Sequence, residues 1–78
     1  MRLMNNKPKN ALKRAIKIVG TQLLLAQGCG VTQSRISLWL RSGIIPPVHV
    51  LKIEKLTKGQ VKCWELRPDL YPKHFFDK

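Results

Sequence analysis

Residues 22–40 contain the pattern that most restricts how this chain can fold: two short helix-forming runs separated by a glycine turn. In the first run, Leu25, Ala26 and Cys29 recur at helical spacing, and Ala26 is small enough to let a second helix cross closely. Gly30 can end this helix because glycine adopts the left-handed backbone conformation without the steric cost of a Cβ atom. The pattern therefore predicts two short helices joined by a tight turn.

The second run begins at Thr32, whose hydroxyl is suited to accept a hydrogen bond from a free amide at the start of a helix. Ile36, Trp39 and Leu40 then recur on one helical face, and Val31 is expected to fill the angle between the helices. This arrangement is typical of a helix-turn-helix motif, whose second helix enters the major groove of DNA. An ordinary helical hairpin is the alternative, since apolar residues at these intervals more often form core.

The charge of the chain favours the first interpretation. No acidic residue occurs between Gly20 and Lys52, and the 15 Lys and Arg residues against 4 Asp and Glu give a net charge of +11 over 78 residues. This excess is greater than solubility alone requires. A polyanionic partner is therefore expected. Charge alone does not distinguish DNA from RNA or an anionic membrane, but the helix-turn-helix pattern favours double-stranded DNA.

We predict two groups of DNA contacts. The side chain of Gln33 can both donate to and accept from adenine, and Leu38 can contact a thymine methyl group. The predicted base contacts are Thr32, Gln33, Ser34, Ser37 and Leu38, at the start of the second helix, which spans about residues 32–41. The predicted phosphate or mixed contacts are Gln22, Arg35, Arg41, Lys13, Arg14 and Lys52. For each residue taken alone, solvated helix surface is the alternative.

The remaining sequence predicts an all-α fold of four to five short helices. Residues 1–7 are basic without periodicity and are expected to form a flexible arm, residues 8–72 a single domain and residues 73–78 a C-terminal tail. Pro47 is suited to the first turn of a helix. Residues 60–66 are short enough for either a strand or one helical turn.

Several apolar residues have two possible roles. The run from Leu23 to Leu25 is more apolar than one helical face needs, and we interpret Leu23 and Leu24 as the edge of the core, with a contact surface as the alternative. Specific control of a gene needs two copies of so small a domain on DNA, so a homodimer is expected. The candidate dimer contacts, which could equally complete the core, are Trp64, Leu66, Tyr71, Phe75 and Phe76.

No catalytic or metal-binding pattern is present in the sequence. Neither Cys29 nor Cys63 has a second cysteine or histidine at the short spacing of a zinc site, and His49 and His74 have no nucleophile beside them. We therefore expect no metal, no cofactor and no enzymatic activity. No run of residues is long and apolar enough to span a bilayer, and no signal-peptide core follows the N-terminus. A cytoplasmic bacterial protein, located at the nucleoid when bound to DNA, is expected.

Three stretches together resemble a known group of proteins. They are residues 11–16 with Gly20, residues 30–40, and residues 59–61 with 65–72, of which the ending Leu66-Arg67-Pro68-Asp69-Leu70-Tyr71-Pro72 is the most specific. They are similar to the small Cro-like phage repressors and to the YdaS-type antitoxin family over about residues 10–72. The resemblance implies a lambda-repressor-like arrangement of helices and a transcriptional repressor of phage or prophage type.

The same resemblance leaves a second function open. It implies that the chain could act as the antitoxin of a toxin–antitoxin pair. The Leu-rich surface and the aromatic tail of the sequence leave another alternative, an interaction protein whose main task is to bind a protein partner. The sequence also departs from the family pattern at three places. The run from Leu23 to Leu25 is apolar where the family tends to have a longer polar run. Leu38 replaces a common lysine, and Lys62 and Cys63 replace a Ser or Thr followed by Arg, which removes the usual cap of the last helical turn.

Overall fold

The computed structural model describes residues 7–71, which form five helices and, within that range, no strand. The helices are α1 (Lys7–Val19), α2 (Gln22–Cys29), α3 (Gln33–Ser42), α4 (Pro47–Leu56) and α5 (Cys63–Leu66). The all-α prediction is confirmed, and residues 60–66 contain one helical turn. Residue 7, which we assigned to the arm, begins α1; the rest of the arm and the tail lie outside the described residues. None of the described helices is long and apolar enough to cross a bilayer.

The ends of α2 and α3 follow the predicted capping residues. Thr32 Oγ1 accepts a hydrogen bond from the Arg35 amide at 3.3 Å and begins α3. Gly30 ends α2 in the left-handed region, with φ 75° and ψ 31°, and its N–H donates to the carbonyls of Ala26 and Gln27. Because both signals lie within a few residues of the elements they bound, the sequence alone was enough to locate the turn.

The five helices share one core, to which each contributes buried side chains. These include Leu12 of α1, Leu25 of α2, Ile36 of α3, Ile53 of α4 and Leu66 of α5, all fully buried. Trp39 is 2% exposed, and its ring lies against the His49 ring with centroids 5.2 Å apart. Cys29 and Cys63 are buried and not bonded to each other. The inner face of α3 is therefore held by the core, and its outer face remains available.

The predicted core edge at Leu23 and Leu24 is wrong. These side chains are 50% and 48% exposed, because Leu25 and Ala26 already fill the narrow part of α2 that faces the core. Leu66 is also ruled out as a dimer contact, because it is fully buried.

The other candidate dimer contacts divide into two groups. Trp64 and Tyr71 are partly buried and pack against the core, so each retains some exposed surface. Phe75 and Phe76 lie outside the described residues.

Two carboxylates replace the cap that the sequence of α5 lacks. Glu65 Oε1 accepts from the backbone N–H of Lys62 at 2.9 Å, and Glu54 Oε1 accepts from that of Cys63 at 2.9 Å. The same Glu65 oxygen also accepts from Arg14 Nη2 at 2.9 Å. This ion pair ties the first helix to the last, although the two residues lie 51 positions apart.

We expect the Glu65 carboxylate to make folding sensitive to acid. Burial raises the pKa of Glu65, but hydrogen bonds from Arg14 and the Lys62 amide, with the charge of Arg14, outweigh burial and hold the pKa below its ordinary value of 4.5. A carboxyl group whose pKa is lowered by folding stabilises the folded state above its unfolded pKa. That stabilisation is lost as the pH falls through the folded pKa.

Glu65→Gln should therefore lower the free energy of unfolding at pH 7 by about 0.5–1 kcal/mol. It should also reduce the loss of stability between roughly pH 5 and pH 3. Urea titrations followed by circular dichroism across this range measure both effects. Lys17→Gln, which changes an exposed side chain of α1, is the control and should keep the parent pH dependence. An equally steep acid dependence in Glu65→Gln would contradict the assigned role.

Candidate nucleic-acid interface

The outer face of α3 carries most of the predicted base contacts. Ile36 and Trp39 hold the inner face in the core, and Thr32 and Gly43 cap the two ends of the helix. The exposed residues at and along the outer face are Thr32, Gln33, Ser34, Arg35, Leu38 and Arg41, and Ser37 is partly exposed. The structure therefore presents a short polar surface that includes two arginines and one leucine.

Part of this surface is concave. Thr32, Ser34, Arg35, Leu38 and Arg41 line one shallow depression of about 250 Å³, which we call the α3 depression. Leu38 is 42% exposed within it. Three predicted base contacts and two predicted mixed contacts thus meet at one place.

A hydrogen bond joins this surface to the start of α2. Ser37 Oγ donates to Gln22 Oε1 at 3.2 Å. Since Ser37 uses only the Gln22 carbonyl oxygen, the Gln22 NH₂ group can still donate to a ligand. Both residues were predicted as DNA contacts, but their pairing was not, because nothing in a sequence relates positions 22 and 37 before the helices cross.

The α3 face keeps its positive charge because the acidic residues of residues 7–71 are engaged elsewhere. Glu54 and Glu65 cap α5, and Asp69 forms an ion pair with Arg67 at 2.7 Å. Across this part of the chain no acidic side chain pairs with Arg35 or Arg41. Anionic groups of a ligand would therefore meet no competing carboxylate on the α3 face.

The basic residues predicted on α1 lie apart from the α3 depression. Arg14 Nη2 donates to the Gln60 carbonyl and to Glu65, both at 2.9 Å, so its guanidinium fastens α1 to the C-terminal part of the domain. Lys13 is exposed and, with Lys17, lines a different groove on α1. The structure thus gives Arg14 a structural role, and its phosphate contact stays a prediction.

Lys52 lies closer to the motif, on the exposed side of α4. Burial lowers the pKa of His49, and the positive charges of Lys52 and Arg35 lower it further. His49 is therefore neutral near pH 7 behind Trp39, and Lys52 and Arg35 act on the same imidazole. This proximity keeps Lys52 among the candidates at the edge of the α3 surface.

Known proteins are similar to this chain in sequence and in the arrangement of the helices. Residues 12–75 match the model of a family described as "Bacterial toxin YdaS". A protein of Escherichia coli (strain K12) named "Putative transcriptional regulator YdaS" is 35% identical over 66 residues, which are 82% of this chain and 66% of that protein. The chain thus spans just under two thirds of the length of this curated relative.

A solved structure is similar to most of this chain. It is described as "Structure of the Cro protein from putative prophage element Xfaso 1 in Xylella fastidiosa strain Ann-1". The match has a TM-score of 0.78 and 44% sequence identity, and it covers 80% of this chain and 95% of the other. Such identity over nearly all of the other chain indicates common descent as well as a common fold.

Proposed function

The chain belongs to the YdaS family of bacterial proteins. From this premise we propose that the protein is a sequence-specific DNA-binding transcriptional repressor. The observation that carries the proposal is the exposed polar face of α3, which bears Arg35 and Arg41 without a carboxylate partner among residues 7–71. The names of the two relatives, a transcriptional regulator and a Cro protein, support it.

In this proposal α3 enters the major groove with its N-terminal end foremost. Gln33 is exposed in the first turn and can form a bidentate pair with adenine, which contributes about 1–3 kcal/mol of discrimination against other bases. Ser34 and Leu38 lie one turn apart beside it. The Thr32 hydroxyl oxygen accepts a hydrogen bond from the Arg35 amide, and the hydroxyl proton remains available to donate to a base or phosphate.

Phosphate contacts fix the position of α3 in the groove. The Gln22 amide group is oriented by Ser37 and lies at the N-terminus of α2, where the helix dipole favours an anion. The cationic phosphate contacts in the proposal are Arg35, Arg41 and Lys52. Lys13 is a further contact at the margin of the interface. Arg14 is omitted because Glu65 and the Gln60 carbonyl already engage it.

A single domain reads too little DNA to define a genomic site. The described part of the chain measures 33 × 29 × 20 Å, so its longest dimension is close to one turn of B-DNA. Two copies bound to adjacent turns on one face of the duplex would place their α3 helices about 34 Å apart, or at a multiple of that spacing. We therefore propose a homodimer on an approximately palindromic operator.

Footprinting on the DNA upstream of its own gene tests the proposal. We expect protection of a short inverted repeat, and Gln33→Ala should weaken binding to this site by about 1–3 kcal/mol, a factor of roughly 5 to 150. Binding to a scrambled duplex should change little, because phosphate contacts are retained. Gln27→Ala is the matched control, since Gln27 is an exposed glutamine of α2 outside the proposed contacts. Equal losses on specific and scrambled DNA would contradict a base-reading role.

A protein-binding role is the second candidate function. Leu23 and Leu24 are both about half exposed at consecutive positions of α2, and contiguous apolar surface can mark a site of protein interaction. In this case the chain would act as an antitoxin or interaction protein that holds a partner encoded nearby. Stable binding of such a purified partner, together with no protected DNA, would favour this function over the repressor.

A further inference from the structure

The α3 depression contains one apolar side chain among polar and cationic ones. Leu38 is 42% exposed there, and it is the only apolar residue of the five that line the depression. Ser34 lies one helical turn before Leu38 and is small, so a group approaching the leucine from that side meets little steric resistance. Leu38 therefore provides an open apolar contact at the centre of a surface that is otherwise suited to hydrogen bonds.

The hydrogen-bonding groups beside Leu38 are mainly donors. Arg35 and Arg41 line the same depression, and a guanidinium group has five N–H donors and no acceptor. Guanine, which presents two acceptors in the major groove, suits such a group, whereas the amino group of cytosine does not. The Leu38 side chain has no donor or acceptor, so its own contact with a neighbouring pyrimidine distinguishes only the substituent at the C5 atom.

We propose that the α3 depression selects pyrimidines that carry a 5-methyl group next to a guanine bound by Arg35 or Arg41. Thymine and 5-methylcytosine present this methyl group at the same place in the major groove, and uracil and cytosine lack it. The inference rests on the proposed function and adds a chemical specificity to it. It also implies that methylation of cytosine in the DNA strengthens binding at such a step.

Matched duplexes test the inference with the full chain. A binding sequence is first selected from a random duplex library, and each pyrimidine in it is then replaced in turn. Thymine is compared with uracil opposite adenine, and 5-methylcytosine with cytosine opposite guanine, so each pair differs only by one methyl group. At one pyrimidine per half-site, both pairs should show about fourfold tighter binding of the methylated base, the factor that corresponds to burying one methyl group.

Substitution of Leu38 identifies the side chain responsible. Leu38→Ala should reduce the ratio of affinities for the methylated and unmethylated base to nearly one in both pairs. Leu38→Met keeps an apolar side chain of similar volume and should retain both ratios. Leu23→Ala removes an exposed leucine from α2 and should leave both preferences unchanged. Circular dichroism of each variant checks that the helices are retained.

The outcomes separate this inference from the proposed function. Failure to select any sequence would contradict the repressor function itself. A selected sequence that binds equally well with and without the methyl group at every pyrimidine would overturn the inference and leave the repressor function standing. A preference that persists in Leu38→Ala would overturn it as well.

Discussion

Trp39→Ala is expected to leave the domain largely unfolded near room temperature. Trp39 is 2% exposed, and it joins α3 to α4 through the ring contact with His49. Replacing a buried tryptophan by alanine typically costs about 3–5 kcal/mol, because the apolar surface is lost and the cavity collapses only in part. A core in a domain of this size rarely supplies more than about 3–5 kcal/mol in total.

Urea denaturation followed by circular dichroism at 222 nm measures this loss. Leu38→Ala is the matched control because it removes a large apolar side chain from the same helix at an exposed position, and it should change stability by less than about 0.5 kcal/mol. A loss below about 1 kcal/mol in Trp39→Ala would show that α3 does not depend on this contact, in conflict with the core described above.

Charge reversal at both Arg35 and Arg41 is expected to reduce DNA affinity by a factor of roughly 150 to 25,000. Hydrogen bonds to charged groups contribute about 1.5–3 kcal/mol each. Among residues 7–71 neither arginine has a carboxylate partner, so the substitutions leave no acidic side chain unpaired there. The fold should therefore persist. The slope of log affinity against log salt should also become less negative by about 0.9 for each phosphate that the variant no longer neutralises.

The control for this variant is a second double variant with the same net charge, whose substitutions lie outside the α3 depression. Lys17→Glu with Lys55→Glu gives the same charge as Arg35→Glu with Arg41→Glu, but these lysines lie exposed on α1 and α4, outside the α3 depression. Gel-shift titrations at two salt concentrations compare the two double variants. Equal losses would mean that binding follows total charge alone, and the proposed interface would then be wrong.

Local signals in the sequence were enough to predict the helix-turn-helix core. Gly30 and Thr32 act on the backbone within one turn of their own positions, so their effect does not depend on how distant helices pack. The buried positions Leu25 and Ile36 also follow from helical spacing, because their faces point toward the core that all five helices share.

Other features depended on contacts between distant parts of the chain. Leu23 and Leu24 were misassigned because helical periodicity does not say how wide a face its neighbours cover. The capping of α5 by Glu54 could not be predicted, since this carboxylate lies on α4, nine residues before Cys63, whose amide donates the hydrogen bond. The pairing of Gln22 with Ser37 has the same origin, because the two side chains meet only after α2 and α3 have crossed.

The ion pair between Arg14 and Glu65 has a consequence for how the protein is made. Translation produces α1 first, but its arginine finds its partners only when Gln60 and Glu65 have left the ribosome. Domains generally fold as units during synthesis, so α1 stays without its α5 neighbour until then. A nascent chain stalled before this point would be a substrate for chaperones or proteases.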